Sequence, residues 1–301
     1  MKTSVLLFGP GRAGRAFARS WTSAGGSIVI VARKPGKARA FVRSCRGVKV
    51  VALRAISRLA ADVVVISVPD DAIASLAARL ARRITCRFAF HFSGALGSLE
   101  LAPFSSGGTS LGSLHPLRAF SGSPEDDWNG AFVAVEGDET AARMGFRLCH
   151  AIGARPRRLP ASGKPLYHAA ATLAAAGSAS LLSFAARLWA EAGLDQEEGR
   201  VALAALATSA IDAVSRLPFE RAVTGPVARR DIETVRLHRE VLAPKPEVAR
   251  LYALLAAETL RRTPGAGRGE EIAGLLGLEE SDGPSFPRRV AKESGNRRRK
   301  G

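Results

Sequence analysis

Three glycines near the start of the sequence have the spacing of a phosphate-binding turn. Gly9, Gly11 and Gly14 form the pattern G-x-G-x-x-G in the stretch FGPGRAG, between an apolar run and a basic, helix-prone segment. We predict that Gly9 allows a tight turn, Gly11 lets the backbone approach a pyrophosphate, and Gly14 lets the helix pack close to the strand. The predicted ligand contacts include the intervening residues Pro10, Arg12 and Ala13. The alternative is a glycine-rich turn without a ligand.

A basic pair follows the next predicted strand. An NAD site normally has Asp or Glu at this point to bind the ribose 2′-hydroxyl. This sequence has Arg33 and Lys34 in VARKPGK instead. A guanidinium and an ammonium can bind a 2′-phosphate through charge-assisted hydrogen bonds. The sequence therefore favours NADP(H) over NAD(H) as the cofactor, and the alternative is a basic loop in a basic protein.

Two further stretches follow predicted strands and fit the edge of a cofactor site. In SVPDDAI, the backbone around Val68 and Pro69 is expected to lie along the dinucleotide. Asp70 or Asp71 is expected to cap the helix that follows. In HFSG, residues 91–94, the strand ends at the carboxyl edge of the predicted sheet, where open α/β sheets bind ligands.

One predicted helix carries three polar side chains among alanines. Lys164, His168 and Thr172 are spaced i, i+4 and i+8, so they share one face, which Ala176 continues. Reduction of a carbonyl needs a group that stabilises or protonates the developing alkoxide. Lys164 is our first candidate for this role, with His168 or His115 as alternatives. A structural interpretation is equally open, in which Lys164 is exposed to solvent and His168 is an interface histidine with satisfied hydrogen bonds.

The elements that position these residues alternate between strands and helices in the first half of the chain. Strands that are apolar on both faces and alternate with helices predict a parallel sheet that is covered on both sides. The expected fold class is an α/β Rossmann domain with a doubly wound, mostly parallel sheet. The expected strands are Thr3–Gly9, Ser27–Ala32, 48–53, Asp62–Val68, Arg87–Ser93, Thr109–Leu114 and Ala131–Gly137. The expected helices are Arg12–Ala24, 36–44 and 70–83.

The second half of the chain is expected to be all-helical. After the stretch Pro156–Pro165 the sequence has long Ala- and Leu-rich segments and no strand pattern. The expected helices are Lys164–Ala192, Gln196–Arg216, Asp231–Val241, Pro246–Arg262 and Gly269–Gly277. We predict an NADP-binding domain over 1–158, an all-helical domain over 159–280, and a basic, disordered tail over 281–301.

The composition limits the other function classes. The formal net charge is +17 over 301 residues, and the stretch 288–301 contributes six of these charges. Much of the remainder is arginine on amphipathic helices. No recognition-helix pattern, zinc-ligand spacing or aromatic–basic alternation is visible, so nucleic-acid binding is disfavoured and no metal site is predicted.

Cysteine usage and hydropathy indicate a cytoplasmic, soluble chain. Cys45, Cys86 and Cys149 make an odd count with wide spacing, which is typical of reduced thiols. The first residues lack the long apolar region of a signal peptide. Residues 169–186 are uncharged, but most are Ala, Ser or Gly, so we predict a helix that is buried in protein and not in lipid.

Six motifs in this order resemble a known two-domain family: FGPGRAG, SVPDDAI, HFSGALGSLELAP, GSLHPLRAF, KPLYHAAA and TGPVARRD. The family consists of Rossmann-like NADP oxidoreductases with a helical C-terminal domain of unknown function. It is similar to ketopantoate reductase, pyrroline-5-carboxylate reductase, the 6-phosphogluconate and 3-hydroxyisobutyrate dehydrogenases, and F420-dependent NADP reductase. The resemblance implies an NADP-binding domain followed by a helical domain for substrate binding and dimerisation, and hence a homodimer.

The resemblance also implies roles for individual residues. Gly9, Gly11, Gly14 and Arg33 would contact the cofactor. The residues near the nicotinamide would be His91, Ser93 and Gly94, and the facing loop would contain His115 and Pro116. The long helix would begin with Lys164, Tyr167 and His168, and the segment between later helices would contain Thr224, Gly225 and Pro226. Ser93 is assigned to the cofactor, and the substrate contacts are assigned to His91, Gly94, Thr172 and Thr224.

Two of these assignments have a purely structural alternative, and two positions depart from the family pattern. His115 could equally anchor a loop, and His91 could be a buried strand histidine that is bonded to backbone. Similar proteins usually have Asn at the position of Ala176 and Gly at the position of Arg230. The missing amide removes an expected hydrogen bond to the substrate.

Together these observations predict an NADPH-dependent oxidoreductase that transfers hydride to a small carbonyl or imine substrate, such as a 2-oxo acid like ketopantoate. Transfer is expected in the cleft between the two domains, where basic groups of the second domain would hold a substrate carboxylate. The alternative is an NADP-binding sensor or scaffold with little turnover, which the missing Asn at Ala176 favours.

Overall fold

A computed structural model describes residues 3–42, 45, 47–263 and 268–278. The predicted tail over 281–301 lies outside the described residues. The chain divides into two compact units, with the division between Gly177 and Ser178. The first unit therefore includes the helix that begins at Lys164, which the sequence assigns to the second domain.

One mixed sheet organises the first unit. Its eight strands, among the residues that the structure describes, are β1 Ser4–Phe8, β2 Ser27–Ala32, β3 Val48–Ala52, β4 Leu59–Ile66, β5 Ile84–His91, β6 Ser110–Pro116, β7 Phe132–Gly137 and β8 Arg155–Arg158. The spatial order is β3-β2-β1-β4-β5-β6-β7-β8, and only the pair β6–β7 is antiparallel. The order of the first six strands is that of a doubly wound dinucleotide-binding sheet. The predicted fold class is confirmed.

Helices cover both faces of this sheet. They are α1 Arg12–Ser23, α2 Pro35–Val42, α3 Ile73–Ala81 and α4 Glu139–Ala151, and a fifth helix, α5 Lys164–Thr172, follows β8 in the chain. In β4, Val63 and Val65 pack in one core, whereas Val64 and Ile66 pack in the other. All four side chains are fully buried, which explains why the central strands lack a polar face.

The sequence predicted no strand at β8, which pairs with β7 at the edge of the sheet. The stretch RPRR has one buried residue, Pro156, between exposed arginines. Proline and charged side chains are typical of edge strands, where one side of the backbone needs no partner in the sheet. The strand therefore lacks the apolar pattern by which a central strand is recognised.

The described part of the second unit contains helices and no strand, as predicted. The helices are α6 Ser178–Glu191, α7 Gln196–Arg216, α8 Phe219–Ala222, α9 Pro226–Arg229, α10 Ile232–Leu242, α11 Pro246–Arg262 and α12 Gly269–Leu275. A small core forms among Ile232, Val235, Leu260 and Ile272. The helix predicted over Lys164–Ala192 is interrupted by a π-helical turn, Leu173–Gly177.

The prediction that residues 169–186 are buried in protein is wrong within a single chain. The helical run Ala161–Glu191 is long and apolar enough to span a membrane by length and composition, and its most apolar stretch is not buried. One helix of this kind is weak evidence of a membrane span. The exposed apolar side chains of this run include Leu166, Leu173 and Leu181.

Candidate active site

The glycine turn connects β1 to α1, and two of its glycines are required by the protein itself. Gly9 has a φ of +89°, and a Cβ there would overlap the carbonyl oxygen of Ser67. A Cβ at Gly14 would lie 2.7 Å from the carbonyl oxygen of Gly9 and 2.9 Å from Ser67 Oγ. These positions therefore allow the tight turn and the close packing of helix against strand.

Gly11 differs from its two neighbours because the protein leaves room for a side chain there. Its φ is −69°, and the nearest atom to a Cβ would be 3.9 Å away. No described side chain caps α1, and its first turn contains no acidic residue. The first N–H groups of a helix have no partner within the helix, and they attract anions. This open, donor-rich turn fits a dinucleotide pyrophosphate.

Arg33 and Lys34 follow β2 and are exposed. Arg33 lines a surface cavity of about 510 Å³, and no acidic residue in the described chain lines it. Four further arginines line this cavity: Arg54, Arg79, Arg82 and Arg83. A cavity with this charge suits a phosphate group.

The prediction that Asp70 or Asp71 caps a helix is wrong. Neither the 3₁₀ turn Asp70–Ala72 nor α3 has a side-chain cap among the described residues. Asp70 Oδ2 instead accepts a hydrogen bond of 2.7 Å from Ser93 Oγ, which joins the loops after β4 and β5. Ser93 Oγ also accepts from the backbone N–H groups of Ala95 and Leu96, so the structure uses this hydroxyl within the loop.

His91 holds the loop after β5 and is not accessible to a substrate in this structure. Its side chain is fully buried. Nδ1 accepts a hydrogen bond of 3.1 Å from the backbone N–H of Ser93, so Nε2 donates to the carbonyl oxygen of Gly97 at 2.9 Å. Burial lowers the pKa of His91 to about 4, so the ring is neutral at pH 7. The geometry is that of a buried strand histidine bonded to backbone.

Lys164 is buried and not solvent-exposed, with a relative exposure of 1 %. Its Nζ donates to the carbonyl oxygen of Ser93 at 3.0 Å and to Ser113 Oγ at 2.8 Å. These contacts use two of the three N–H groups of the ammonium. Burial lowers the pKa of Lys164 to about 8, against the opposing effect of the carboxylates of Glu136 and Asp70.

Glu136 is a polar residue of this site that the sequence did not single out. The side chain is 5 % exposed and accepts hydrogen bonds from Ser98 N, Ser98 Oγ and Ser113 Oγ at 2.8 to 2.9 Å. The signal that could have revealed it is a single glutamate in the apolar strand AFVAVEG. Buried carboxylates are rare unless they are paired.

Two imidazole rings meet over Gly94. A Cβ at Gly94 would overlap His168 Nδ1 and lie 2.8 Å from His115 Nε2. The two rings are 5.6 Å apart between centroids. His115 Nδ1 forms a hydrogen bond of 2.9 Å with the Tyr167 hydroxyl. The atom His168 Nδ1 is buried and has no hydrogen-bond partner among the described residues.

Burial also sets the charge of His115 and of Tyr167. It lowers the pKa of His115 to about 4, with further lowering by the nearby His168 and Lys164. Burial raises the pKa of Tyr167 to about 12, so its hydroxyl keeps its proton at neutral pH. When that hydroxyl donates to His115 Nδ1, the ring proton lies on Nε2, on the side of Gly94.

The other two predicted substrate contacts, Thr172 and Thr224, have exposed side chains. The Thr172 side chain is exposed, and its hydroxyl donates to the carbonyl oxygen of His168 at 2.9 Å. Thr224 is exposed in the second unit, between α8 and α9. Ala176, at the position of the missing Asn, is exposed within the π-helical turn. In the first unit, therefore, the structure brings together Gly94, His115, Lys164 and His168.

Two family descriptions match this chain. Residues 4–85 match the NADP oxidoreductase, coenzyme F420-dependent family, and residues 131–259 match the domain of unknown function DUF2520. The chain therefore joins an NADP oxidoreductase domain to a DUF2520 domain. This match confirms the predicted family and NADP as its cofactor. No curated protein sequence matches the chain.

Solved structures that cover both units show the same fold as this chain. A protein from Thermotoga maritima is 24 % identical with a TM-score of 0.68, and the match covers 90 % of this chain and 98 % of that one. Pyrroline carboxylate reductase from Plasmodium falciparum, solved with NADP bound, is 9 % identical with a TM-score of 0.57 and coverages of 91 % and 98 %. A reductive aminase from Aspergillus terreus, in complex with NADPH and ethyl levulinate, is 16 % identical with a TM-score of 0.60 and coverages of 92 % and 99 %.

The similarity confirms the predicted relationship to pyrroline-5-carboxylate reductase at the level of the fold. The relationship to ketopantoate reductase stays a prediction.

Proposed function

We propose that this protein is an NADPH-dependent reductase of a small carbonyl or imine compound. The observation that carries the proposal is the buried ammonium of Lys164, which lies in the same unit as the glycine turn and the two imidazole rings over Gly94. The fold neighbours from Plasmodium falciparum and Aspergillus terreus are reductases of this kind, and the ethyl levulinate bound to the second is a keto ester.

The glycine turn and the basic loop would hold the cofactor. The N–H groups at the start of α1, with the open side of Gly11, would bind the pyrophosphate, and Arg33 with Lys34 would bind the 2′-phosphate. Val68 and Pro69 would lie along the dinucleotide, and Ser93 would contribute backbone and not its hydroxyl, which is bonded within the loop. When bound, NADPH supplies a hydride to the substrate.

Lys164 would supply the proton. An ammonium of this acidity protonates a developing alkoxide or amine near neutral pH more readily than an exposed lysine does. His115 is neutral at pH 7, so it would donate a hydrogen bond from Nε2 to the substrate and not act as an acid. The Nδ1 atom of His168, which has no hydrogen-bond partner in the described part of the chain, would provide a second polar contact over Gly94.

A small 2-oxo acid such as ketopantoate, or a cyclic imine, would suit this cluster. The Lys164 ammonium attracts a carboxylate or a polarised carbonyl oxygen, and the ring atoms of His115 and His168 leave little room around Gly94. Thr172 and Thr224 stay predictions as substrate contacts.

We also propose a cytoplasmic homodimer. Helix α7 is rich in apolar residues, yet only Gly199 is buried among its 21 residues. A helix that is apolar on several faces needs a covering surface. A second copy of the chain would cover such residues, which include Leu206 and Ile211.

The second candidate function is an NADP-binding sensor with little turnover, which Ala176 favours because the family resemblance implies an amide at this position. An assay of NADPH oxidation over a panel of 2-oxo acids and cyclic imines separates the two, with Lys164→Met beside the wild type. We expect turnover on at least one substrate, its loss in Lys164→Met, and an unchanged rate in Lys49→Met, which removes an exposed lysine of the same unit.

Calorimetry with both nucleotides completes the test. We expect NADPH to bind more tightly than NADH, and Arg33→Ala to weaken NADPH about tenfold, since charge-assisted hydrogen bonds contribute about 1.5–3 kcal/mol. Tight binding of NADPH without turnover would support the sensor. If neither nucleotide bound, both functions would be refuted.

A further inference from the structure

A buried carboxylate lies one hydroxyl group away from the Lys164 ammonium. Lys164 Nζ donates to Ser113 Oγ at 2.8 Å, and this hydroxyl donates to Glu136 Oε2 at 2.9 Å. All three side chains are at least nine-tenths buried. The ammonium, the hydroxyl and the carboxylate therefore form a chain of charge-assisted hydrogen bonds in which each donor has a defined acceptor.

Secondary structure fixes the carboxylate end of this chain. In the antiparallel pair β6–β7, Ser113 lies directly opposite Glu136. Directly opposed residues on one face of a sheet are within contact distance. Ser98 holds the same carboxylate from another element, since its N–H donates to Oε2 and its hydroxyl to Oε1, both at 2.8 Å. Three hydrogen bonds thus determine where the negative charge lies.

Four other ionisable groups face Lys164 from the elements around it. Among them, Glu136 does most to favour the charged form of Lys164. Besides Glu136 on β7, the groups are Asp70, His91 and His115. The two histidines are neutral at pH 7, because burial lowers the pKa of each to about 4. Of the two carboxylates that raise the Lys164 pKa, Glu136 has the larger effect and Asp70 the smaller.

We propose that Glu136 is the positioning residue of Lys164, whose ammonium it keeps charged and oriented through the Ser113 hydroxyl. The kinetic consequence rests on the proposed reductase function, whereas the electrostatic coupling does not. The competing interpretation is that Glu136 only caps the start of the 3₁₀ helix Ser98–Gly107 through its bonds to Ser98. In that case the charge of Glu136 would not influence Lys164.

Titration of the lysine side chains by NMR, without nucleotide, separates these two interpretations. The chain has eight lysines, so selective ¹³C labelling at Cε gives a spectrum simple enough to assign Lys164 by its loss in Lys164→Met. We expect the Lys164 signal to titrate near pH 8 in the wild type and at lower pH in Glu136→Gln. Glu139→Gln, which removes an exposed carboxylate three residues along the chain, should leave the midpoint in place.

Two further variants keep the test decisive. Glu136→Asp retains the charge and should return the midpoint towards the wild-type value. Ser113→Ala keeps both charges but removes the bridging hydroxyl, so it should also lower the Lys164 midpoint. This variant replaces Glu136→Gln in the test if Glu136→Gln does not fold. An unchanged Lys164 midpoint in a folded Glu136→Gln or Ser113→Ala protein would overturn the proposal.

Steady-state kinetics adds the functional readout. Glu136→Gln should lower kcat several-fold at pH 8 with little change in KM for NADPH, and it should move the high-pH limb of the rate profile to lower pH. Normal turnover with an unmoved limb would overturn the positioning role while the reductase function stands. If no substrate turned over, the reductase function would fail, and the NMR titration would still decide the coupling between Glu136 and Lys164.

Discussion

At the scale of single residues, Lys164 has the most unusual environment in the first unit. Its ammonium is 1 % exposed and is compensated by a carboxylate that it does not touch directly. Burial disfavours the charged form of a lysine, and the nearby carboxylates favour it. The balance leaves a pKa of about 8, close to the range in which a general acid works at physiological pH.

The pH dependence of reduction should report this lysine. Lys164 is protonated below about pH 8 and can then donate a proton, so kcat for reduction should be constant at lower pH and fall as the pH rises through 8. Measuring kcat at saturating NADPH across this range tests the assignment. If His115 were the acid, the rate would already fall above pH 4, because its pKa is about 4.

The glycine turn allows stability and cofactor binding to be separated. Gly9→Ala should destabilise the protein by about 1–3 kcal/mol, since the φ of +89° is strained for alanine and its Cβ would overlap the carbonyl oxygen of Ser67. Gly11→Ala should leave the melting temperature unchanged, because the site of the added methyl group is open in the protein alone. The same methyl group should weaken the binding of NADPH. Thermal melts and calorimetry measure both effects. Equal loss of stability in the two variants would contradict a ligand role for Gly11.

At the scale of elements, the sequence predicted strands and helices correctly where the local pattern of apolar residues determines them. The strand of Val63 to Ile66 is apolar on both faces, and the structure buries it on both faces. The edge strand β8 was missed because its arginines carry no apolar pattern. The prediction that Asp70 caps a helix was wrong, because its carboxylate instead accepts a hydrogen bond from Ser93, which lies in another loop.

For the candidate site, too, the sequence predicted only what depends on local spacing. Local spacing was enough to place Lys164 and His168 on one helix, and the structure keeps them together. The contact between Lys164 and Ser113, and the presence of Glu136 behind it, depend on the antiparallel register of β6 and β7. That register joins residues 23 positions apart and cannot be read from spacing along the chain.

The junction of α9 and α11 explains the departure at Arg230. This residue caps α9 in the left-handed region, with φ 60°, a conformation that favours glycine, which the family resemblance implies at this position. Its guanidinium is buried and donates to the carbonyl oxygens of Val227 and Thr263, near the C-termini of two helices. A cation at a helix C-terminus is stabilising, which offsets the backbone strain.

Two substitutions separate these opposing effects. Arg230→Gly and Arg230→Ala both lose the guanidinium bonds, so both should be less stable than the wild type. Arg230→Gly should be the more stable variant by about 1 kcal/mol, because glycine adopts the left-handed conformation without strain. Differential scanning calorimetry gives the order. A glycine variant more stable than the wild type would show that the guanidinium bonds do not offset the backbone strain.

At the scale of the whole molecule, apolar side chains remain exposed on the helices of residues 161–217. Leu166 is 79 % exposed, Leu173 is 74 % exposed and Leu206 is 65 % exposed. A soluble monomer rarely keeps so many leucines this exposed, since each exposed leucine forgoes about 1.5–3 kcal/mol of burial. Either another protein surface or a lipid surface would cover these helices.

The introduction of negative charges on α7 decides between these two surfaces. We expect the wild-type chain to be a dimer by size-exclusion chromatography with light scattering, and Leu206→Glu with Ile211→Glu to be a folded monomer. Leu99→Glu, at a still more exposed leucine of the first unit that lies outside these helices, should remain a dimer. Flotation with neutral phosphatidylcholine vesicles tests the lipid surface without attraction between charges. A monomeric wild type that floats with the vesicles would refute the dimer, because the same leucines would then be covered by lipid and not by a second copy.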